Sequence, residues 1–133
     1  MIVNSNKRFF GGNAKVSSFT LGTMRAADNA ETMYRIIKYA HFAGINHLET
    51  ASSYGKAEYF IGKALQKLQN KDNISKKNWV ITSKILPKGD FNHLKKNFYQ
   101  SLRDLNLKKI HNLAIHGINL NEHLDWVLSG EGK

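Results

Sequence analysis

Four side chains of different chemistry fall at related places in this chain: Glu49, Tyr54, Lys84 and His116. Glu49 and Tyr54 stand five residues apart in HLETASSYGKAEYFIG (His47–Gly62), where small residues separate an acid from a Tyr-Gly pair and a charged helix start follows. A free phenol has a pKa of about 10 and is a poor proton donor at neutral pH. A neighbouring ammonium favours the phenolate and so eases release of the proton. A carboxylate beside the ammonium holds it in place by a charge-assisted hydrogen bond. An imidazole close by orients a carbonyl or joins the proton relay. Tyr, Lys, acid and His together suit carbonyl reduction, in which hydride arrives from a cofactor and the tyrosine supplies the proton. Taken singly, each has a plain structural reading: a packed loop aromatic, an exposed strand end, a helix cap and a core histidine. Their common placement is what favours the chemical one.

That placement follows from the elements. Lys7–Phe10 and Lys15–Val16, split by Gly11-Gly12-Asn13, read as a hairpin. Phe19–Met24 reads as a short strand ending in Gly-Thr. Asp28, with Glu31 three residues on, offers a capping box, and Met33, Ile36, Ile37 and Ala40 follow at helical spacing up to a stop at Gly44. Ile45–Ala51 reads as the second strand. From Lys56, residues Ala57, Phe60, Ile61, Ala64, Leu65 and Leu68 give the clearest helical stripe in the chain. Trp79–Ile85 is a β-branched, buried strand closed by Pro87 and Gly89. Leu94, Phe98, Leu102 and Leu105 mark another helix, Asn112–Ile118 another strand, and Glu122–Leu128 a short last helix.

Strand and helix alternating every ~30 residues imply βα crossovers and a parallel sheet. An open doubly wound sheet and part of a (β/α)8 barrel both use this alternation. The open sheet usually carries a Gly-rich first turn, and Leu21-Gly22-Thr23-Met24 is not followed by one. In a barrel, Glu49, Lys84 and His116 at strand ends and Tyr54 in the next loop share the C-terminal face, where catalytic groups collect.

With 133 residues, 41% hydrophobic and 23% charged, the chain is sized for one soluble domain with a real core. It has one Pro and no Cys, which excludes disulfides, cysteine-based zinc sites and thiol nucleophiles and suits a reducing compartment. No metal site is expected. MIVNSNKRFFGGNAK lacks the apolar core of a signal peptide, and no stretch approaches the ~18 apolar residues of a membrane span, so the expected location is cytoplasmic, with no membrane partner. The net charge of +10 raises an acidic partner or nucleic acid, but the lysines lie in scattered pairs such as Lys76-Lys77, Lys95-Lys96 and Lys108-Lys109. No specific nucleic-acid partner is expected.

At these residues the chain resembles the aldo-keto reductase superfamily, NADP(H)-dependent (β/α)8 barrels, over nearly its whole length. INHLETASSYGKAEYFIGKAL is similar to the family signature DTA…YG.SE..IG.AL; LGTM, VITSKI and LAIHGIN resemble its first strand, its lysine strand and its histidine strand. The resemblance implies Tyr54 as general acid, Lys84 as the cation that assists it, His116 as the group that orients the carbonyl, and Glu49 in place of the usual Asp, one methylene longer. It also implies NADPH as cofactor, with Gly22, Thr23, Met24 and Glu49 on its nicotinamide side, and a small aldehyde or ketone as substrate.

A complete barrel has eight strands and typically ~250 residues. The four parallel strands expected here make residues 1–133 the N-terminal half of such a domain, with the second half, which carries most of the phosphate-binding residues, missing. The expectation is therefore a truncated oxidoreductase, inactive alone, that self-associates through open sheet edges. The alternative is a non-catalytic half-barrel interaction module whose basic surface binds an acidic partner or nucleic acid.

Overall fold

The structure, a computed structural model, describes residues 7–10, 14–25, 29–129 and 132–133. Strands β1 (Arg8–Phe9) and β2 (Lys15–Val16) pair antiparallel, as expected; the turn read at Gly11-Gly12-Asn13 lies outside the described residues. Then β3 (Thr20–Gly22), β4 (His47–Glu49), β5 (Val80–Ile85) and β6 (Asn112–Ile115) form one sheet in that order, parallel throughout. Helices α1 (Ala30–Phe42), α2 (Ala57–Asp72), α3 (Phe91–Asp104) and α4 (Asn121–Leu128) follow the strands in turn. This is four consecutive βα units, the architecture of half a (β/α)8 barrel.

Side chains alternate across a strand, so each strand offers one face to the helices and one to the concave side. Leu48 and Ile81 face the helices and join Met33, Ile37, Ile61, Leu65, Leu68 and Trp79 in the core. The other face, apart from Val80 and Ala114, is polar. His47 Nδ1 is 2.8 Å from Thr20 Oγ1 and its Nε2 is 2.9 Å from Thr82 Oγ1, while Asn112 Nδ2 donates to the same Thr82 oxygen at 3.3 Å. A ladder of side chains thus crosses all four strands. Burial holds the His47 imidazole below its ordinary range against the opposing pull of Glu49. Glu49, Lys84 and His116 lie an even number of residues beyond the ladder and extend from the same face.

Helix α1 begins at Asn29, not Asp28: the Asn29 carboxamide oxygen accepts from Thr32 N at 2.8 Å. Asn is as good an N-cap as Asp, so the cap sits one residue later than expected, Asp28 itself lying outside the described residues; the third helical position is then Thr32, and Glu31, the other arm of the expected capping box, pairs with Lys67 instead. Met33, Ile37 and Ala40 are buried on the predicted stripe, and Tyr34 joins them because its hydroxyl donates to Asp72 Oδ2 at 2.7 Å, at the end of α2. Gly44 takes φ +82° just past α1, the left-handed conformation glycine adopts without strain.

In α2 the stripe Ala57, Ile61, Ala64, Leu65 and Leu68 is buried as its spacing predicts. Gly62 lies on the same helix where the end of α3 crosses, and a Cβ there would collide with the Asp104 carbonyl oxygen. Helix α3 is capped by Asp90, whose carboxylate accepts from His93 N at 2.8 Å. Its expected stripe is unevenly covered: Leu94, Phe98 and Leu102 are partly buried and Leu105, at the C-cap, is fully buried, while Ser101, outside the stripe, is buried as well. Among the described residues no helix is long and apolar enough to cross a membrane.

Candidate active site

The parallel register brings the ends of the strands together. Gly22 pairs with Glu49, Glu49 with Thr82, and Lys84 with Ala114. After β3 the chain bends onto β4: Thr23 N and Thr23 Oγ1 both donate to the Glu49 carbonyl, at 3.1 and 3.0 Å, and Thr23 is buried. Met24, next in sequence, is 58% exposed.

The loop after β4 is laid against β5 by hydrogen bonds that its small residues permit. Ser52 donates to the Lys84 carbonyl through its amide at 3.2 Å and its hydroxyl at 3.1 Å. Tyr54 N donates to Ala51 O and Ala57 N to Tyr54 O, both at 3.0 Å, so the loop tightens directly into the first turn of α2. Tyr54 is thereby fixed between a strand end and a helix start.

Lys84 is the centre of the site. Its Nζ donates to Tyr54 OH at 2.9 Å and to Thr50 O at 3.2 Å, and it forms an ion pair with Glu49. An ammonium has three hydrogens, and all three have an acceptor here. Burial by itself would lower the Lys84 pKa; the hydrogen bonds and charges of Glu49 and Tyr54 outweigh it and hold the ammonium above the ordinary lysine range. The extra methylene of Glu49 does not prevent the pair. Accepting from Lys84 leaves the Tyr54 hydroxyl hydrogen available for donation elsewhere.

His116 follows β6, its amide donating to Ile85 O at 2.7 Å. Its ring meets the Tyr54 ring edge-on, with centroids 5.3 Å apart and an 85° interplanar angle. Ser53 Oγ lies 2.9 Å from His116 Nδ1. The four expected groups, Glu49, Tyr54, Lys84 and His116, are therefore one cluster. A cavity of about 590 Å³ opens beside His116, lined also by Leu86, Pro87, Asn119, His123 and Trp126. Trp126 closes one side, its indole donating to Gly89 O at 2.9 Å.

Sequence reasoning missed three contributors. Ser52 and Ser53 were readable only as small loop residues. Glu58, in the first turn of α2, is 5% exposed, and accepts from Ser83 Oγ at 2.6 Å and Ser101 Oγ at 2.9 Å. Its signal was its place in the YGKAE stretch, which local pattern alone assigns to an exposed helix start. No group of three or more His, Asp or Glu among the described residues is placed to hold a metal ion.

No curated protein matches this sequence. Solved structures do. One from Pseudomonas aeruginosa, assigned to the aldo-keto reductases, superposes with a TM-score of 0.80 at 22% identity, covering 98% of this chain and 54% of its own. A holo-form aldo-keto reductase of Bacillus halodurans gives 0.73 at 22% identity, with 94% and 46% covered. An aldose reductase of Schistosoma japonicum gives 0.64 at 26% identity, with 77% and 34% covered. The chain thus spans about half the length of the first two. The aldo/keto reductase family model matches residues 18–129, a span that holds every group of the cluster and all four parallel strands, and the chain belongs to that family.

Proposed function

We propose that residues 1–133 are the proton-transfer half of an NADP(H)-dependent oxidoreductase that reduces aldehydes or ketones to alcohols, with Tyr54 as the proton donor. The observation that supports this most is the Lys84 ammonium bonded at once to the Tyr54 hydroxyl and the Glu49 carboxylate. In this reading Tyr54 gives its hydroxyl proton to the carbonyl oxygen. Lys84, already 2.9 Å from the phenol oxygen, stabilises the negative charge left there. Glu49 keeps Lys84 charged and aimed. His116 orients the carbonyl by donating from Nε2, which requires its Nδ1 to accept from Ser53, the contact seen at 2.9 Å.

The nicotinamide cofactor, when bound, supplies the hydride. The end of β3 fits a flat ring: Gly22 carries no side chain, a Cβ there would still clear Glu49 by 3.7 Å, and Met24 offers an exposed thioether beside it. Gly22, Thr23, Met24 and Glu49 would flank that ring. The family resemblance implies that the groups holding the cofactor phosphates lie in the other half of the barrel, so residues 1–133 by themselves should bind NADPH weakly and turn over nothing.

The test is to join this chain to a matching C-terminal half and follow NADPH oxidation with an aldehyde. Turnover should appear on joining, and Tyr54→Phe should remove most of it, ~10²–10⁴-fold, the usual contribution of positioned proton transfer. A joined enzyme in which Tyr54→Phe keeps full turnover would reduce Tyr54 to a packed loop aromatic.

A further inference from the structure

Glu58 is a buried carboxylate that the proposed chemistry does not use. It is 5% exposed, and both its hydroxyl donors, Ser83 and Ser101, are buried as well, at 0% and 2%. Removing a carboxylate from water is costly, and here the attractive partners are two hydroxyls rather than a cation. Burial raises its pKa, with Asp104 adding to the rise and the two serines opposing it. A residue kept at such a cost needs a reason, and its position supplies one. Glu58 is the second residue of α2, and Ala57, the first, is hydrogen-bonded to the Tyr54 carbonyl at 3.0 Å. Ser83 directly precedes Lys84 on β5 and points to the helix side while Lys84 points to the concave side. The Glu58–Ser83 bond of 2.6 Å therefore ties the helix that starts at Tyr54 to the strand that carries Lys84. The second bond, to Ser101, anchors the same carboxylate on α3, away from the Tyr54–Lys84 contact.

We propose that Glu58 is a positioning residue: through Ser83 it sets the separation of Tyr54 and Lys84 from behind the sheet. Its consequence for catalysis rests on the reading of Tyr54 and Lys84 given above; the positioning itself rests on this geometry alone. The two arms of the clamp make the idea testable. Ser83→Ala and Ser101→Ala each delete one hydroxyl donor to the same buried carboxylate, so a merely structural role makes them alike. A positioning role makes them different, because the Ser83 arm alone leads to Lys84.

The readout is the nuclear Overhauser cross-peak between the Tyr54 ring and the Lys84 ε-methylene in the full chain, assigned by its loss in Tyr54→Leu and in Lys84→Met. Lys84 Nζ lies 4.7 Å from the Tyr54 ring centroid. The Lys67–Tyr34 pair, at 4.3 Å, is an internal control. Ser83→Ala should weaken the Tyr54–Lys84 peak severalfold and spare the control, whereas Ser101→Ala should spare both. Glu58→Ala should lose the peak, and Glu58→Gln, which keeps the length and one carbonyl acceptor, should restore most of it. Should Glu58→Ala fail to fold, the serine pair decides the matter. An undiminished peak in Ser83→Ala, or an equal loss in Ser101→Ala, overturns the role of Glu58. A peak missing from the wild-type chain overturns the Tyr54–Lys84 pair itself, and with it the proposed function.

Discussion

The β4–α2–β5 block and the β6–α4 block meet at one site, yet they are built differently. In the first, Leu48, Ile61, Leu65, Leu68, Trp79 and Ile81 are buried, and polar groups are tied from both sides: Lys84 to Glu49 and Tyr54 in front, Ser83 to Glu58 behind. In the second, no described residue of β6 or α4 is fully buried, and Leu113, Leu120, Leu124 and Leu128 are exposed. Three of the four clustered groups, Glu49, Tyr54 and Lys84, belong to the closed block. His116 alone stands on the open one, held by its backbone and by Ser53. Tyr54 and Lys84 are therefore brought together within this block, whereas the cavity beside His116 is walled by the open one.

The widest gap between the blocks should appear in stability. Leu48→Ala, which empties a fully buried site between sheet and helices, should cost about 2–5 kcal/mol in urea denaturation. Gly62→Ala should come next, about 1–3 kcal/mol, because its methyl group meets the Asp104 backbone rather than a side chain that can turn away. Leu124→Ala, on the open block, should change monomer stability by less than about 0.5 kcal/mol. Its effect should instead show in sedimentation, as weaker self-association through the uncovered face. If Leu124→Ala cost as much as Leu48→Ala, the contrast between the blocks would fail.

A smaller effect sharpens the contrast through pH. The folded chain raises the Glu58 carboxyl above its ordinary 4.5, so just above that pH the folded state holds the proton more tightly than the unfolded one. Stability owed to this group is therefore greatest below 4.5 and declines as pH rises through the raised value. Glu58→Gln should abolish that decline. Subtracting the two stability–pH curves removes the contributions of Asp72, whose carboxyl is lowered chiefly by Lys38, and of His47, since both are common to the two chains. Parallel curves would mean that Glu58 is solvated after all.

Much of this was legible in the sequence, and for identifiable reasons. The α2 stripe is a periodic signal that packing simply fulfils, and Glu49, Lys84 and His116 fall where a parallel sheet collects its strand ends. Strand lengths were less legible. Phe19–Met24 shrinks to Thr20–Gly22 because Thr23 already turns towards the Glu49 carbonyl, and Ile45–Ala51 shrinks to His47–Glu49. The Glu58 clamp was hidden for a different reason. An acid in the first turn of a helix suits the helix dipole in full solvent, and its actual partners lie 25 and 43 residues away. The same holds for the Thr20–His47–Thr82–Asn112 ladder, whose members look unrelated until the sheet aligns them.

That ladder also acts as a key for strand alignment during folding. Sliding any one strand by a single residue exchanges its two faces, so that His47 or Thr82 would be driven among the leucines while Leu48 or Ile81 faced the concave side. An apolar error of that kind in a wholly aliphatic sheet would be partly forgiven. Here it would strand several hydrogen-bonding groups at once, because each rung depends on its neighbour being in place. The chain thus carries, beneath the cluster of Glu49, Tyr54, Lys84 and His116, an error check on the very alignment that brings them together.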